Sequence, residues 1–344
     1  MAQTQVSAAE LLAQKSRQSS ITLASLSTEV KNAALQAVAR ALLQEREKIF
    51  AANREDCEEA ARQGLAAPLQ KRLRLDEKKL TTLIDGIESL VHLPDPVGRK
   101  LRGTLLDDGL ELYQESCPIG VIGIIFESRP DALVQISTLG LKSGNAVILK
   151  GGSEAARTNQ ALFEIIRDAS VAAGLPEHWI SLIETRAQVR EMLALDQYID
   201  LIIPRGSNEF VRMIMDNSRI PVLGHADGIC HVYVDEKADI PAAVEIVRDS
   251  KCQYVAVCNA LETLLVHQAI APSFLPALAA RLEQDHVELR GCPKTREILP
   301  AIREATEEDW KTEYLDYILA VKVVDDVQEA IDHINRYGSG HTES

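Results

Sequence analysis

The stretch IGVIGIIFESRPDALVQISTLGLKSGNAVILKGGSEAARTNQALFEIIRD, residues 119–168, decides the fold. It opens on an almost unbroken aliphatic run at 119–126. A polar turn follows, then a helical pattern at 131–142, a second aliphatic run at 146–149 and another helical pattern at 154–173. A strand that is apolar at nearly every position is buried on both faces. Aliphatic strands separated by amphipathic helices therefore predict a parallel sheet covered on both sides. The same alternation continues with strands at 180–183, 199–203 and 229–234 and helices at 187–195 and 207–217. A second α/β run follows, with helix 239–251, strand 261–267, helix 272–284, strand 318–324 and helix 326–337. The pattern breaks near 224–236, at Gly224, Asp227 and Gly228, and a domain boundary is placed there.

Before residue 119 the chain reads differently. Segments 7–16, 27–50 and 76–90 carry apolar residues at helical spacing. Segment 101–116, LRGTLLDDGLELYQES, has short alternating runs around Asp108–Gly109, which predicts a two-stranded ribbon. After helix 326–337 the chain reaches Ser344 through a Gly-rich turn, with no further strand read to close the second sheet. An α/β unit seldom ends there, so a C-terminal part is expected to be missing.

Composition narrows the function. The 344 residues are nearly half apolar, enough for large cores, while aromatics are only 4%, so those cores must be aliphatic. A net charge of −14 argues against a broad nucleic-acid or anionic-membrane surface, yet leaves room for a small basic phosphate pocket. There is no apolar leader at the N-terminus and no apolar run near the ~20 residues of a membrane span, so a cytoplasmic protein is expected. The six scattered cysteines, without a CxxC pair, read as free thiols of a reducing compartment.

The G-x-G-x-x-G fingerprint is absent. Two strand–turn–helix junctions are the alternative anion sites. At the first, Lys150 ends a strand, Gly151–Gly152 turn, and Ser153 opens a helix; at the second, Arg205, Gly206 and Ser207 do the same. Helix N-termini with free backbone N–H groups favour phosphate. Ordinary turns with solvated cations fit the same residues. Cys258 lies in CQYVAVCNALETLLVH, on an apolar loop between helix and strand, where a thiol is either a nucleophile or a small buried hydrophobe. His225, Cys230 and His231 are close in sequence, but neighbours on a strand point to opposite faces, so they make a poor metal set and none is expected.

VIGIIFESRPDAL (121–133), SGNAVILKGGSEAARTN (143–159), YIDLIIPRGS (198–207), GICHVYVD (228–235), VCNALETLLVH (257–267) and AIDHINRYGSGHTE (330–343) together resemble the aldehyde dehydrogenase superfamily, in particular its branch that reduces γ-glutamyl phosphate. The resemblance spans essentially the whole chain. It implies a Rossmann-like NADP-binding domain, 1–100 with 117–226, an oligomerisation ribbon, 101–116, and a catalytic domain, 227–344, whose last elements would follow Ser344. It implies that Cys258, with Asn259 beside it, forms a thioester with the γ-glutamyl group. NADPH would then reduce this to glutamate 5-semialdehyde in proline biosynthesis, after release of phosphate. Lys150 matches a lysine that reaches the adenosine ribose, and Gly206–Ser207 match a turn at the pyrophosphate. Ser153 stands where NAD-preferring members often carry Glu, and relatives of this branch often Lys. Val222 in PVLGH stands where hydrolytic members carry the water-activating Glu. Arg129 and Ser128 of FESRP fall near their oxyanion Asn, where the guanidinium could hold the acyl phosphate; pairing with Glu127 or Asp131 is the structural alternative. The resemblance also implies a homo-oligomer, with glutamate 5-kinase as a possible metabolic partner. A hydrolytic dehydrogenase, a reductase of another acyl phosphate and an inactive cofactor-binding or assembly subunit remain as alternatives.

Overall fold

A computed structural model describes residues 7–65, 67–127, 129–206, 208–224 and 227–344. The chain forms two compact units, Met1–His225 and Ala226–Ser344. Unit 1 starts with helices α1 (Ala8–Ala24), α2 (Thr28–Gln44), α3 (Arg46–Arg62), α4 (Ala67–Leu73) and α5 (Glu77–His92). Side chains of Ser7, Ser27 and Asp76 cap α1, α2 and α5 by accepting backbone N–H groups of the first turn. The expected single helix over 27–50 is two helices that meet at Glu45. The polar run Gln44–Glu45–Arg46–Glu47 leaves the apolar stripe nothing to continue on. Strands β1 (Lys100–Asp107) and β2 (Leu110–Glu115) form the antiparallel ribbon, turning at Gly109 with φ +73°. Leu101, Leu105, Leu106, Leu110 and Leu112 are exposed on it.

The sheet of unit 1 is built from β3 (Val121–Phe126), β4 (Ala146–Lys150), β5 (Ile180–Leu182) and β6 (Leu201–Arg205), all parallel, in the order β5-β4-β3-β6. Between them lie α6 (Pro130–Lys142), α7 (Ala156–Ala172) and α8 (Arg186–Met192), and α9 (Asn208–Asn217) follows. Every residue of β3 is buried. Its alternation divides two cores, as a period of two must. Ile122, Ile124 and Phe126 join Leu35, Leu42, Ile87, Leu133 and Leu162 on one side. Val121 and Ile125 join Ala13, Val189, Met192 and Ile214 on the other. Gly123 is paired with Ile202, and a Cβ there would lie 2.6 Å from the Ile202 Cδ1, so a larger residue would push that side chain aside. Asp200 fixes the start of β3: it accepts two 2.8 Å bonds from Arg17 and one of 2.8 Å from the Val121 N–H. Val222 is half-buried and bridges to Ile202.

Unit 2 has β7 (Cys230–Val234), α10 (Ile240–Cys252), β8 (Leu261–His267), α11 (Ala271–Glu283), β9 (Glu288–Gly291), α12 (Pro293–Ile298), β10 (Arg303–Glu304), β11 (Ile318–Val324) and α13 (Val327–Tyr337). Its parallel sheet runs β10-β9-β11-β8-β7 around an apolar core that includes Val247, Leu264, Phe274, Leu278 and Leu319. One expectation needs correction. The sequence reading missed β9, α12 and β10 because short strands such as ELRG carry too few apolar residues to declare themselves. The expectation of no strand after α13 holds, since the final residues form an isolated bridge and no strand. Those residues lie beside β7: Ser344 N–H donates to His231 O, Tyr233 N–H donates to Ser344 O, and Glu343 bridges to His231 in parallel sense. Among the described residues no helix is long and apolar enough to cross a membrane.

His231 and His333 are buried with rings 5.6 Å apart, and neither Nε2 has a partner. Burial pushes His231 down to about 4. Burial, with the cations Lys322 and Arg336 and the neighbouring His231, pushes His333 down to about 3. The folded state thus binds fewer protons than the unfolded chain once the pH falls below the ordinary value of 6.5. Stability from these groups is complete above that pH and is lost as the pH drops towards 4 and 3. Glu343, whose carboxyl burial raises, works in the opposite sense at the acid end. His333→Phe should therefore lower the fall in Tm between pH 7 and pH 5 relative to the parent, read by thermal unfolding. An unchanged fall would exclude His333 as its source.

Candidate active site

In unit 1 the candidate anion-binding residues gather at one end of the sheet. Ile125 pairs with Lys150 and Phe126 with Arg205, so the loops after β3, β4 and β6 leave side by side. The chain runs outward from β3 through β4 to β5, then returns on the other flank as β6. The gap between β3 and β6 is the switch point where ligands of open α/β sheets bind. Lys150 ends β4 half-buried; burial lowers its pKa, opposed by Glu154 and aided by Arg186.

Gly151 and Gly152 lead into a 3-10 turn, Ser153–Ala155, and then α7. A Cβ at Gly151 would stand 2.1 Å from Asn159 Nδ2, and one at Gly152 would stand 2.1 Å from Glu154 Oε1. At Gly206 it would lie 2.9 Å from the Phe210 ring and 3.0 Å from Glu127 Oε2. At Gly151 and Gly206 a side chain would run into Asn159 and the Phe210 ring, whereas at Gly152 it would meet only the movable end of Glu154. A cavity of about 630 Å³ opens beside Gly151–Gly152, with exposed Ser153 on its rim and Ala52, Ala156 and Leu182 among its apolar lining. Its cations are committed: Lys48 pairs with Glu164 at 2.9 Å, and Arg157 with Glu55 at 3.2 Å and Asp56 at 3.3 Å. Asn159 Oδ1 is buried and has no hydrogen-bond partner.

Arg129 is half-exposed and its Nη2 lies 3.2 Å from Asp131 Oδ2, the structural pairing considered from the sequence. Ser128 and Ser207 lie outside the described residues.

In unit 2, Cys258 and Asn259 stand exposed on the turn between α10 and β8, held by Val257 N–H to Tyr254 O at 3.3 Å and Ala260 N–H to Val257 O at 3.1 Å. The Cys258 carbonyl accepts a 3.3 Å bond from the Cys230 thiol. Cys230 is buried and its thiol is pushed up to about 11, first by burial and then by Glu343. Gly228 packs against the same carbonyl: a Cβ there would lie 2.1 Å from Cys258 O and 2.7 Å from Glu313 Oε1. Three segments, 228–230, 257–260 and 313–315, thus meet at the thiol-bearing turn. Cys230 and His231, neighbours on β7, go separate ways, the thiol to the Cys258 turn and the imidazole to Glu343 at 2.9 Å. Flanking the turn, Lys251 and Glu262 form a 2.7 Å ion pair with side chains 0% and 1% exposed. Desolvation pushes Glu262 up to about 7 and Lys251 down, and each opposes the shift of the other.

Sequence reasoning missed Asn159, Gly228, Glu313, Lys251 and Glu262. A usable signal existed for Glu262 alone, a carboxylate inside an otherwise aliphatic strand.

The aldehyde dehydrogenase family model matches residues 1–311. The gamma-glutamyl phosphate reductase of Acetivibrio thermocellus is 63% identical over 328 residues, 95% of this chain and 76% of that protein. The gamma-glutamyl phosphate reductase of Pelotomaculum thermopropionicum is 64% identical over 332 residues, 96% of this chain and 76% of its own length. The crystal structure of gamma-glutamyl phosphate reductase from Thermotoga maritima superposes with a TM-score of 0.94 at 42% identity, covering 98% of this chain and 82% of that one. An acetylating aldehyde dehydrogenase from Geobacillus thermoglucosidasius, at 19% identity and a TM-score of 0.65 over 97% of this chain and 80% of its own, shares the fold.

The Gly228 contact yields a direct test. In Gly228→Ala the new methyl group meets a backbone oxygen, which cannot rotate away, so the Cys258 turn must shift. Overpacking of this kind costs about 1–3 kcal/mol. Carboxamidomethylation of Cys258 by iodoacetamide, followed by peptide mass analysis, should change in rate by at least about threefold, while labelling of Cys117 stays as in the parent. Equal Cys258 rates would mean that the turn does not depend on this contact.

Proposed function

The chain belongs to the aldehyde dehydrogenase family and, within it, to the γ-glutamyl phosphate reductases, and we propose that it converts L-glutamyl 5-phosphate to L-glutamate 5-semialdehyde through a thioester on Cys258. The observation that carries this reading is the exposed Cys258 thiol on a turn fixed from behind by Gly228 and Cys230. Cys230 itself is no competitor, since its thiol is buried and stays protonated near neutral pH. The Cys258 thiolate attacks the γ-carbonyl carbon, a C–S bond forms, the C–O bond to phosphorus breaks, and phosphate departs. A bound nicotinamide cofactor supplies the hydride that reduces the thioester. The C–S bond then breaks, the aldehyde leaves and Cys258 is regenerated. By resemblance Val222 stands where hydrolytic members carry Glu, and a valine cannot act as a base for water, which favours reduction over hydrolysis of the acyl-enzyme.

The cofactor reading rests on unit 1. The bare Gly151–Gly152 and Gly206 turns, the cavity beside α7 and the unpartnered Asn159 Oδ1 fit a dinucleotide, with Lys150 at its ribose and Arg205–Gly206 at its pyrophosphate. NADP is the form we propose, because Ser153 puts a neutral side chain where a carboxylate would repel a 2′-phosphate. Segments 1–100 and 117–226 would then serve cofactor binding, 101–116 the joining of copies, and 227–344 catalysis. Arg129 is assigned to the substrate phosphate and Asn259 to the acyl-enzyme.

Two experiments test this. NADPH oxidation with γ-glutamyl phosphate generated in situ, or the reverse reaction with semialdehyde, phosphate and NADP, should require Cys258. Cys258→Ala should lose turnover by at least about 10³-fold with NADP affinity unchanged, whereas Cys252→Ala keeps most activity. Substantial turnover in Cys258→Ala would end the covalent mechanism. Separately, the parent should prefer NADPH over NADH, and Ser153→Glu should weaken NADPH more than NADH. Equal kinetics with both cofactors in the parent would remove the NADP reading.

A further inference from the structure

Lys251 sits on the last turn of α10 and Glu262 is the second residue of β8, so their contact closes the loop that carries Cys258. The pair is the neck of that loop. Glu262 also reaches beyond it: Oε1 accepts the Leu315 N–H at 3.2 Å. Leu315 has φ +53°, a conformation strained for a branched residue that surrounding structure must enforce. The segment thereby pinned includes Glu313, whose Oε1 reaches the space beside Gly228 and the Cys258 carbonyl. The next residue, Tyr314, lies with its ring 5.9 Å from Lys251 Nζ and donates a 2.7 Å bond to Asp309, which pairs with Arg290 at 2.8 Å. One carboxylate therefore ties the nucleophile turn and the 313–315 segment to a common anchor.

Stability is a poor explanation for such an arrangement. Taking both charges out of water costs several kcal/mol per ion, and an apolar pair of similar volume is often as stable or more so. What an ion pair gives that an apolar pair cannot is direction: a short, charge-assisted bond fixes distance and angle.

We propose that Lys251 and Glu262 are positioning residues that set where the Cys258 thiol stands relative to the 313–315 segment. The inference rests on Cys258 being the nucleophile.

In Lys251→Met/Glu262→Gln, Met fills the lysine stem, Gln keeps an acceptor for Leu315 N–H, and the tie across the neck is gone. With the full chain, kcat should fall at least about tenfold while KM for NADP and for the semialdehyde stay within about twofold. Cys258 alkylation by iodoacetamide should change at least about threefold, and Tm should stay within a few degrees. A kcat within about twofold of the parent overturns the inference, and so does a lost kcat that merely tracks Tm with alkylation at the parental rate. Should the double variant not fold, Glu262→Asp keeps both charges but shortens the reach by one methylene. It is expected to show the same split between kcat and KM, and parental kcat there is equally fatal. Cys258→Ala assayed alongside separates the two levels. Turnover without the thiol would remove the nucleophile reading itself, whereas parental kcat in the pair variants would remove only this inference.

Discussion

Unit 1 depends on the complete burial of β3. Paired on both edges and covered on both faces, the strand can expose no polar group, so its six residues are aliphatic, aromatic or glycine. That requirement propagates outward. Gly123 leaves room for the Ile202 side chain, Asp200 and Arg17 fix where the strand begins, and its far end delivers Phe126 level with Arg205. The neighbouring strand ends are consequently held in register, and the glycine turns beyond them open onto one edge. Precision at this end of the sheet, where we propose the cofactor binds, comes from the pairing of the strands rather than from the loops.

Unit 2 meets the same demand with a different solution. Its interior strand β8, paired on both edges, is buried along six of seven positions, yet one of those is Glu262. A carboxylate there is tolerated because Lys251 and a backbone amide satisfy it. The polar group sits at the end of β8 next to the Cys258 turn, where direction matters more than hydrophobic gain. The aromatic and imidazole cluster of His231, His333, Trp310 and Tyr337 lies around α13 and adds buried imidazoles that remain neutral.

Much of this was legible from residues alone. β8 and β11 were read to the residue, and β3, β4 and α6 within two, because a continuous aliphatic run bounded by turn residues has few other fates. The ribbon announced itself through Asp108–Gly109. β9 and β10 were hidden because their pairing comes from parallel neighbours distant in sequence, not from their own composition. The two candidate anion-binding turns were visible as glycines at strand ends, but Asn159 gains meaning only through its closeness to Gly151. Cys258 stood out from the other five thiols by resemblance, not by composition or spacing. What supports it, Gly228 against its carbonyl and Glu262 reaching Leu315, arises from loops that meet only after folding.

The strand order carries a consequence for how the chain is made. β4 follows β3 within a few tens of residues and can pair with it early. The other edge of β3 waits for β6, and Phe126 lies 79 positions ahead of its partner, Arg205 (205 − 126). Synthesis at about 5–20 residues per second leaves that edge open for roughly 4–16 seconds after β3 emerges. For that interval a wholly apolar strand presents unpaired backbone to solvent, which is the template on which other chains add. The β3 edge is therefore where nascent-chain chaperones would be needed most, and slow codons between residues 126 and 205 would lengthen the exposure.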